Sequence, residues 1–207
     1  MIMIRGFSFI VGTLFFLSTG VSWSYADPCE APTWVEKAEQ GCKNLRRAKL
    51  RKADLKGMNL RRVDLRGADL RKSYLVGSDL RKAKLRGADL RDANLNLAYL
   101  QKADLTGVLL NGVNLAGARL QNANLTKADL RAVLLMKFQM TNANLTNANL
   151  KRVRMTMGNL TGADFTGANL TDVRWDEVTC PDGTKSNDHE RTCCGHLNGA
   201  VPSAGCD

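Results

Sequence analysis

A large apolar residue returns at every fifth position from Leu45 to Trp175, through 27 consecutive units without an insertion. The residue is Leu throughout except at Met140, Met155, Phe165 and Trp175. No single element has this period. Five residues carry an α-helix through about 500°, so the leucines would scatter around its surface. In a strand an odd spacing sends successive leucines to opposite faces. The period therefore belongs to a path of the backbone larger than one helix or strand.

The other four positions say what that path is. Two residues before almost every large centre stands a small or medium residue, as at Ala48, Val63, Ala68, Ser73, Ala83 and Ala88, and glycine recurs two residues after it, as at Gly57, Gly67, Gly77 and Gly87. A chain that turns a corner every five residues closes a square coil in four units, with the large and the small residue both pointing inward. Coils stacked through main-chain hydrogen bonds repeat at about 4.8 Å, so 27 units make nearly seven coils and a tube roughly 32 Å long. Leucine then recurs every fifth residue because each one fills one side of the same narrow interior.

The units ADLRG, ADLRD, ANLTK, ADLRA, ANLTN and ADFTG resemble the A-(D/N)-L-x-x motif of the pentapeptide-repeat family. The resemblance covers residues 43 to about 177 and implies an all-β fold, a right-handed quadrilateral β-helix. It specifies fold far better than function, because repeat solenoids host many binding roles.

The two ends break the pattern. Arg5, the apolar run from Phe7 to Leu17 and the small residues Ser24 and Ala26 read as a signal peptide over 1–26, cleaved before Asp27. The competing reading is an uncleaved anchor, since the uncharged run from Gly6 to Ala26 is long enough to span a bilayer. The expected location is the bacterial periplasm or the exterior, with no integral membrane span after cleavage. All six cysteines, Cys29, Cys42, Cys180, Cys193, Cys194 and Cys206, lie outside the periodic region. In an exported chain an even number clustered at the ends reads as disulfides that staple the ends. Cys29 with Cys42 is the natural N-terminal pair, the four C-terminal cysteines allow three pairings, and the adjacent Cys193 and Cys194 are expected to take different partners. A stacked tube needs caps over its open ends. The expected organisation is an N-terminal cap with a short helix over 27–42, the β-helix over 43–177 and a Cys-rich cap over 178–207, whose tail resembles those of some exported pentapeptide-repeat proteins.

With an unbroken register, residues twenty apart stack in columns, so the sequence becomes a surface map. One column runs Arg46, Arg66, Arg86 and then Thr106, Thr126, Thr146, Thr166; the next holds Arg51, Arg71, Arg91; a third holds Arg61, Arg81 and then Gln101, Gln121. The whole chain carries a formal +10, and the excess is concentrated at one end. Residues 43–102 hold eighteen Lys and Arg against six Asp and Glu, whereas residues 103–175 hold eight against four. Such a basic collar suits a polyanionic ligand held by many weak contacts. The bland reading is a solvated surface with local ion pairs. No aromatic series interleaves with the cations, so recognition of nucleic acid by sequence is not expected. The fourth face places Tyr74, Val76, Leu97, Ala116, Leu134, Met136 and Met157 outward, with Leu109 beside it. An apolar row of this kind fits a protein partner, a second copy of the chain, or the C-terminal tail folded back.

Catalysis is not expected. The two histidines, His189 and His196, both stand in the C-terminal cap, leaving the repeats without a histidine base, and the Asp residues alternate with Arg. No cofactor or metal is expected either. Cys180, Cys193, Cys194, His189 and His196 match no familiar zinc spacing, and Asp182, Asn187, Asp188 and Glu190 lack the spacing of a calcium loop. The family resemblance implies one defined activity, mimicry of DNA toward type II topoisomerases, but that mechanism needs a negative surface and this one is positive. The main expectation is a non-enzymatic, exported binding scaffold. The alternatives are a structural or stress-related envelope protein and, through the single threonine column, an ice-binding solenoid.

Overall fold

The computed structural model describes residues 33–186 and 192–197. From Asn44 onward each residue preceding a large centre pairs in parallel with the residue twenty positions later, beginning at Asn44 with Asp64 and running through Asn159 with Thr179. Four five-residue sides thus make one coil, and successive coils lie directly on one another.

One unit, Ala68–Lys72, shows why five residues suffice. The Ala68 N–H closes the preceding corner on the Leu65 carbonyl at 3.0 Å, and the Asp69 N–H donates to Ala48 in the coil before, at 2.9 Å. Leu70 and Lys72 donate to Asp89 and Arg91 in the coil after, at 2.8 and 3.0 Å. The remaining donor, the Arg71 N–H, is taken by Asp69 Oδ1 at 3.2 Å. Every backbone donor of the unit is therefore satisfied without water. The Asp or Asn of the motif is a structural acceptor for the corner, which is the mechanism of an Asx turn.

The corner itself needs a left-handed residue two places after each centre, with φ between 50° and 72° from Arg47 to Glu177. At all but three corners the residue after it also bonds back to the centre, which is the signature of a type II turn. Glycine suits this position, yet Arg47, Lys52, Arg62, Lys72, Lys82 and Lys102 occupy it in the first coils.

Inside, the large centres from Leu45 through Trp175 are all buried, with Ala, Val and Ser beside them. Full burial of a leucine is worth about 1.5–3 kcal/mol, so this single file of side chains is the main source of stability. One column departs from small residues: Phe138 takes the position that Ala118 holds one coil earlier and Gly158 one coil later. A Cβ on Gly158 would stand 2.0 Å from the edge of the Phe138 ring, so the bulky residue and the glycine form one packing unit. At this corner the chain is more extended, giving the three short parallel strands β1 (Leu134–Met136), β2 (Arg154–Thr156) and β3 (Arg174–Asp176), stacked in that order.

At the N-terminal end sits the short helix α1, Trp34–Glu39. Thr33 caps it reciprocally with Glu36, and Gln40 and Gly41 end it, with Gly41 at φ 76°. Ala38 and Cys42 are buried and Trp34 and Val35 pack on the core, so the helix closes the apolar mouth of the tube. At the other end the coil register continues past Glu177: Val178 and Cys180 both point inward and are fully buried. Cys180 is bonded to Cys193, and a turn through Pro181, Asp182 and Gly183 returns the chain to pair Lys185 with Thr179. Among the described residues no helix is long and apolar enough to cross a membrane. The expected signal segment lies outside the described residues.

Candidate functional site

The eight arginines of the basic collar fall into three structural classes, set by the residue two places before each. Where that residue is Asp, the guanidinium folds back onto it. Arg66 holds Asp64 through Nε at 2.8 Å and Nη2 at 2.5 Å, and Arg71 on Asp69, Arg81 on Asp79 and Arg91 on Asp89 repeat the arrangement. Each carboxylate thus receives a two-pronged guanidinium and the corner N–H together, the strongest geometry for this pair of groups. Where the earlier residue is Asn, at Asn44 and Asn59, only the backbone N–H of Arg46 or Arg61 is bound, and Arg61 reaches Asp79 of the next coil at 3.9 Å. Where it is Lys, at Lys49 and Lys84, neither the N–H nor the guanidinium of Arg51 or Arg86 has an acceptor among the described residues.

The electrostatics follow the geometry. The Arg71 guanidinium holds the Asp69 carboxyl down to about 2, and the forks likewise lower Asp64, Asp79 and Asp89 through their own arginines. Asp129, which burial alone would push up, is held low by Arg131 in the one such fork beyond the collar. Four of the eight expected arginines are therefore neutralised locally.

Further cations stand outside the column that follows each leucine. Arg62, Lys82 and Lys102 stand one above another on the corner between two basic faces, all exposed, and Lys84 lies just beyond them. Their signal was present as Lys or Arg at a position where the turn prefers glycine. Tyr99 lies on this side between Arg81 and Arg119, its ring 5.7 and 5.2 Å from the two guanidinium carbons.

On the fourth face Tyr74, Leu97, Leu134, Met136 and Met157 are exposed, and Val76 and Ala116 are half-buried. The row is interrupted by Asn94, Asn96 and Asn114, and Leu97 lies flat over the Gly117 corner of the next coil, where no Cβ stands in its way. Lys56 covers one side of the Tyr74 ring at 5.1 Å. Leu109 is exposed on the neighbouring face.

In the threonine column the hydroxyls are turned to neighbours. Thr106, Thr126 and Thr166 each donate to the Asp or Asn two residues before at 2.6 Å, and Thr146 donates to Asp164 at 3.2 Å. At the C-terminal end Asp182 takes the Thr184 N–H and hydroxyl and lies 2.6 Å from His196 Nδ1, and the Thr184 hydroxyl above all holds its pKa near 2. The Cys180–Cys193 disulfide withdraws two of the thiols considered above as metal ligands. Cys42 and Cys194 are also disulfide-bonded, while Cys29, Cys206 and His189 lie outside the described residues.

The family profile described as pentapeptide repeats matches in eight copies over residues 44–75, 59–96, 73–112, 98–135 and 139–172. No curated protein matches the chain. Among solved structures it is similar to HetL, a pentapeptide repeat protein involved in heterocyst differentiation regulation from the cyanobacterium Nostoc sp. strain PCC 7120. That match has 28% identity and a TM-score of 0.49, and covers 69% of this chain and 82% of that one. A pentapeptide repeat protein from the Arabidopsis thaliana thylakoid lumen shares 30% identity at a TM-score of 0.37, over 59% and 87% of the two chains. QnrB1, a plasmid-mediated fluoroquinolone resistance protein, shares 17% identity at 0.43, over 63% and 78%.

Proposed function

Because the chain belongs to the pentapeptide-repeat family, whose members form right-handed quadrilateral β-helices and are in general non-catalytic structural or binding proteins, we propose that it is a non-enzymatic binding scaffold of about seven coils. It is exported to the periplasm or beyond after loss of residues 1–26, and disulfide-linked caps over 27–42 and 178–207 close the tube. Its ligand is anionic and meets the collar of Arg46, Arg51, Arg61, Arg66, Arg71, Arg81, Arg86 and Arg91. The exposed row from Tyr74 to Met157 serves a protein partner or a second copy.

One observation carries this reading: the excess of cations in the first three coils survives local pairing. Subtracting the Asp–Arg forks and the Lys56–Asp54 pair leaves most of the eighteen Lys and Arg of residues 43–102 without an ion-pair partner among the described residues. The rigid stack fixes the backbone positions that carry those charges, so only the side chains have to be ordered when a polyanion binds.

Retention on an anionic matrix tests the reading. Reversing Arg46, Arg51, Arg66, Arg71 and Arg86 to Glu abolishes salt-dependent retention and, with it, biological function. If retention is lost while function in the native host is unchanged, the collar is only a solubilising surface and the protein is a structural envelope component. Intact mass of the protein from fractionated cells tests export: the chain begins at Asp27 and its thiols alkylate only after reduction.

A further inference from the structure

The Asp–Leu–Arg units define an anion site that the chain fills by itself. In each, one carboxylate collects three donors: the backbone N–H of the Arg at 3.2 Å, its Nε at 2.8–2.9 Å and its Nη2 at 2.5–2.6 Å. Lys84–Leu85–Arg86 keeps the same backbone and register, since Lys84 pairs with Asp64 and Asp104 on either side, but supplies a cation where the carboxylate belongs. The Arg86 N–H and guanidinium have no acceptor within the described residues. The acids nearest to Lys84 are committed elsewhere: Asp64 to Arg66, and Asp104 to the Thr106 N–H and hydroxyl at 3.1 and 2.6 Å.

Around this fork the exposed cations are arranged in a line. Arg62, Lys82 and Lys102 climb the adjoining corner, one per coil, each in a left-handed conformation with φ between 56° and 61°. A left-handed conformation costs an ordinary side chain about 1–2 kcal/mol, so cations stand here against the local preference for glycine. Steps of about 4.8 Å along the tube axis suit a ligand that repeats its negative charge. The fork lies on one face and the row on the corner that adjoins it, so a ligand with several linked charges can engage both at once.

We infer that Lys84 and Arg86, with the row Arg62, Lys82 and Lys102, form the primary site for a flexible linear polyanion whose phosphate groups repeat along its length. One phosphate takes the place that an Asp carboxylate has in the neighbouring units, and the following ones run along the corner. This inference rests on the scaffold reading above and narrows it to one face and its corner.

The test uses inorganic polyphosphate long enough to span three coils, with orthophosphate and phosphatidylglycerol-containing vesicles as the other probes. Lys84→Asp rewrites the unit as Asp–Leu–Arg and fills the fork from within. Lys127→Asp makes the same charge change at a corner position beyond the first three coils, and Asp92 and Asp172, at the equivalent position of another corner, show that the turn accepts Asp. Arg86→Gln removes the fork without adding an acid, and thermal unfolding verifies that all three variants fold. The expected result is polyphosphate binding that Lys84→Asp and Arg86→Gln weaken about tenfold or more, with a salt slope lower by about 1–2 for Lys84→Asp, and that Lys127→Asp changes by no more than about twofold. Equal losses in Lys84→Asp and Lys127→Asp would overturn the fork while leaving general attraction to the collar intact. Binding to vesicles without binding to polyphosphate would replace the polymer by a lipid surface. No binding to polyphosphate, vesicles or an anionic matrix at low salt would sink the collar reading itself.

Discussion

The first three coils and the last three share one interior and differ on the outside. Leu85 and Leu145 fill the same column and are equally buried, and where an Asp or Asn precedes the centre, as at Asp89 and Asn144, it accepts the same corner N–H in both halves. What changes is the residue on the far side of the leucine. In the first coils it is mostly Arg, which needs a carboxylate to form a fork; in the last it is often Thr, which donates equally well to Asn124 and to Asp164. The comparison separates two layers of information. The inward positions and the Asx acceptor build the tube, and the position after the leucine, with the left-handed corner residue, decides what the tube can bind.

If the interior is equivalent along the tube, the largest single effects will be the same in both halves. Leu85→Ala and Leu145→Ala are each expected to cost about 2–5 kcal/mol in denaturant unfolding. A large disparity between them would break the comparison by showing that the halves unfold separately. The Cys180–Cys193 disulfide acts at the C-terminal end: Cys180 is at once a core residue and a staple closing a 13-residue separation. Its loss in Cys180→Ala with Cys193→Ala should cost about 3 kcal/mol by loop closure, reported first by hydrogen exchange in the last coil rather than around Leu45. Gly158→Ala comes next, at about 1–3 kcal/mol from overpacking against Phe138. Combined with Phe138→Leu it should cost less than the two changes summed, whereas simple additivity would mean that ring and glycine are independent.

The legibility of this chain follows the same division. The five-residue period identified every inward column from Leu45 to Trp175, because each position has one possible neighbour set once the coil closes. Past Trp175 the period gives no warning that Val178 and Cys180 continue inward, since a cysteine in place of leucine reads as the start of a cap. On the surface, sequence gave the arginine columns and the apolar row, but grouped all eight arginines together. Their division depends on the residue two places earlier, visible in the sequence as DLR, NLR or KLR, and acquires meaning only when the corner N–H and the guanidinium are seen to converge on one acceptor. Lys82 and Lys102 do not stand out in the sequence, because a charged residue at a turn is ordinary unless its φ is known.

Two smaller effects sharpen the contrast on the basic side. The forks lower the folded-state pKa of their Asp residues, so the stability they contribute is present above the ordinary value of 3.8 and is lost as pH falls through about 2 for Asp69. Acid titration followed by carboxyl NMR should place Asp69 near 2, and Arg71→Gln should return it toward 3.8. Thr-lined acceptors behave differently where they are Asn: Asn124 and Asn144 do not titrate, so the C-terminal coils contain fewer acid-sensitive contacts.

The smallest expected effect tests why cations stand at the corners at all. Lys82→Gly relieves a left-handed side chain at φ 59°, a gain opposed by the extra freedom of glycine in the unfolded chain, and the balance is a stabilisation of up to about 1 kcal/mol. The same substitution removes the middle cation of the row on the corner. A variant that unfolds later and binds polyphosphate less tightly would show that the corner gives up stability to hold charge. A variant that is more stable and binds equally well would mean that Lys82 is a tolerated surface residue, and that the difference between the two ends of the tube is one of solubility alone.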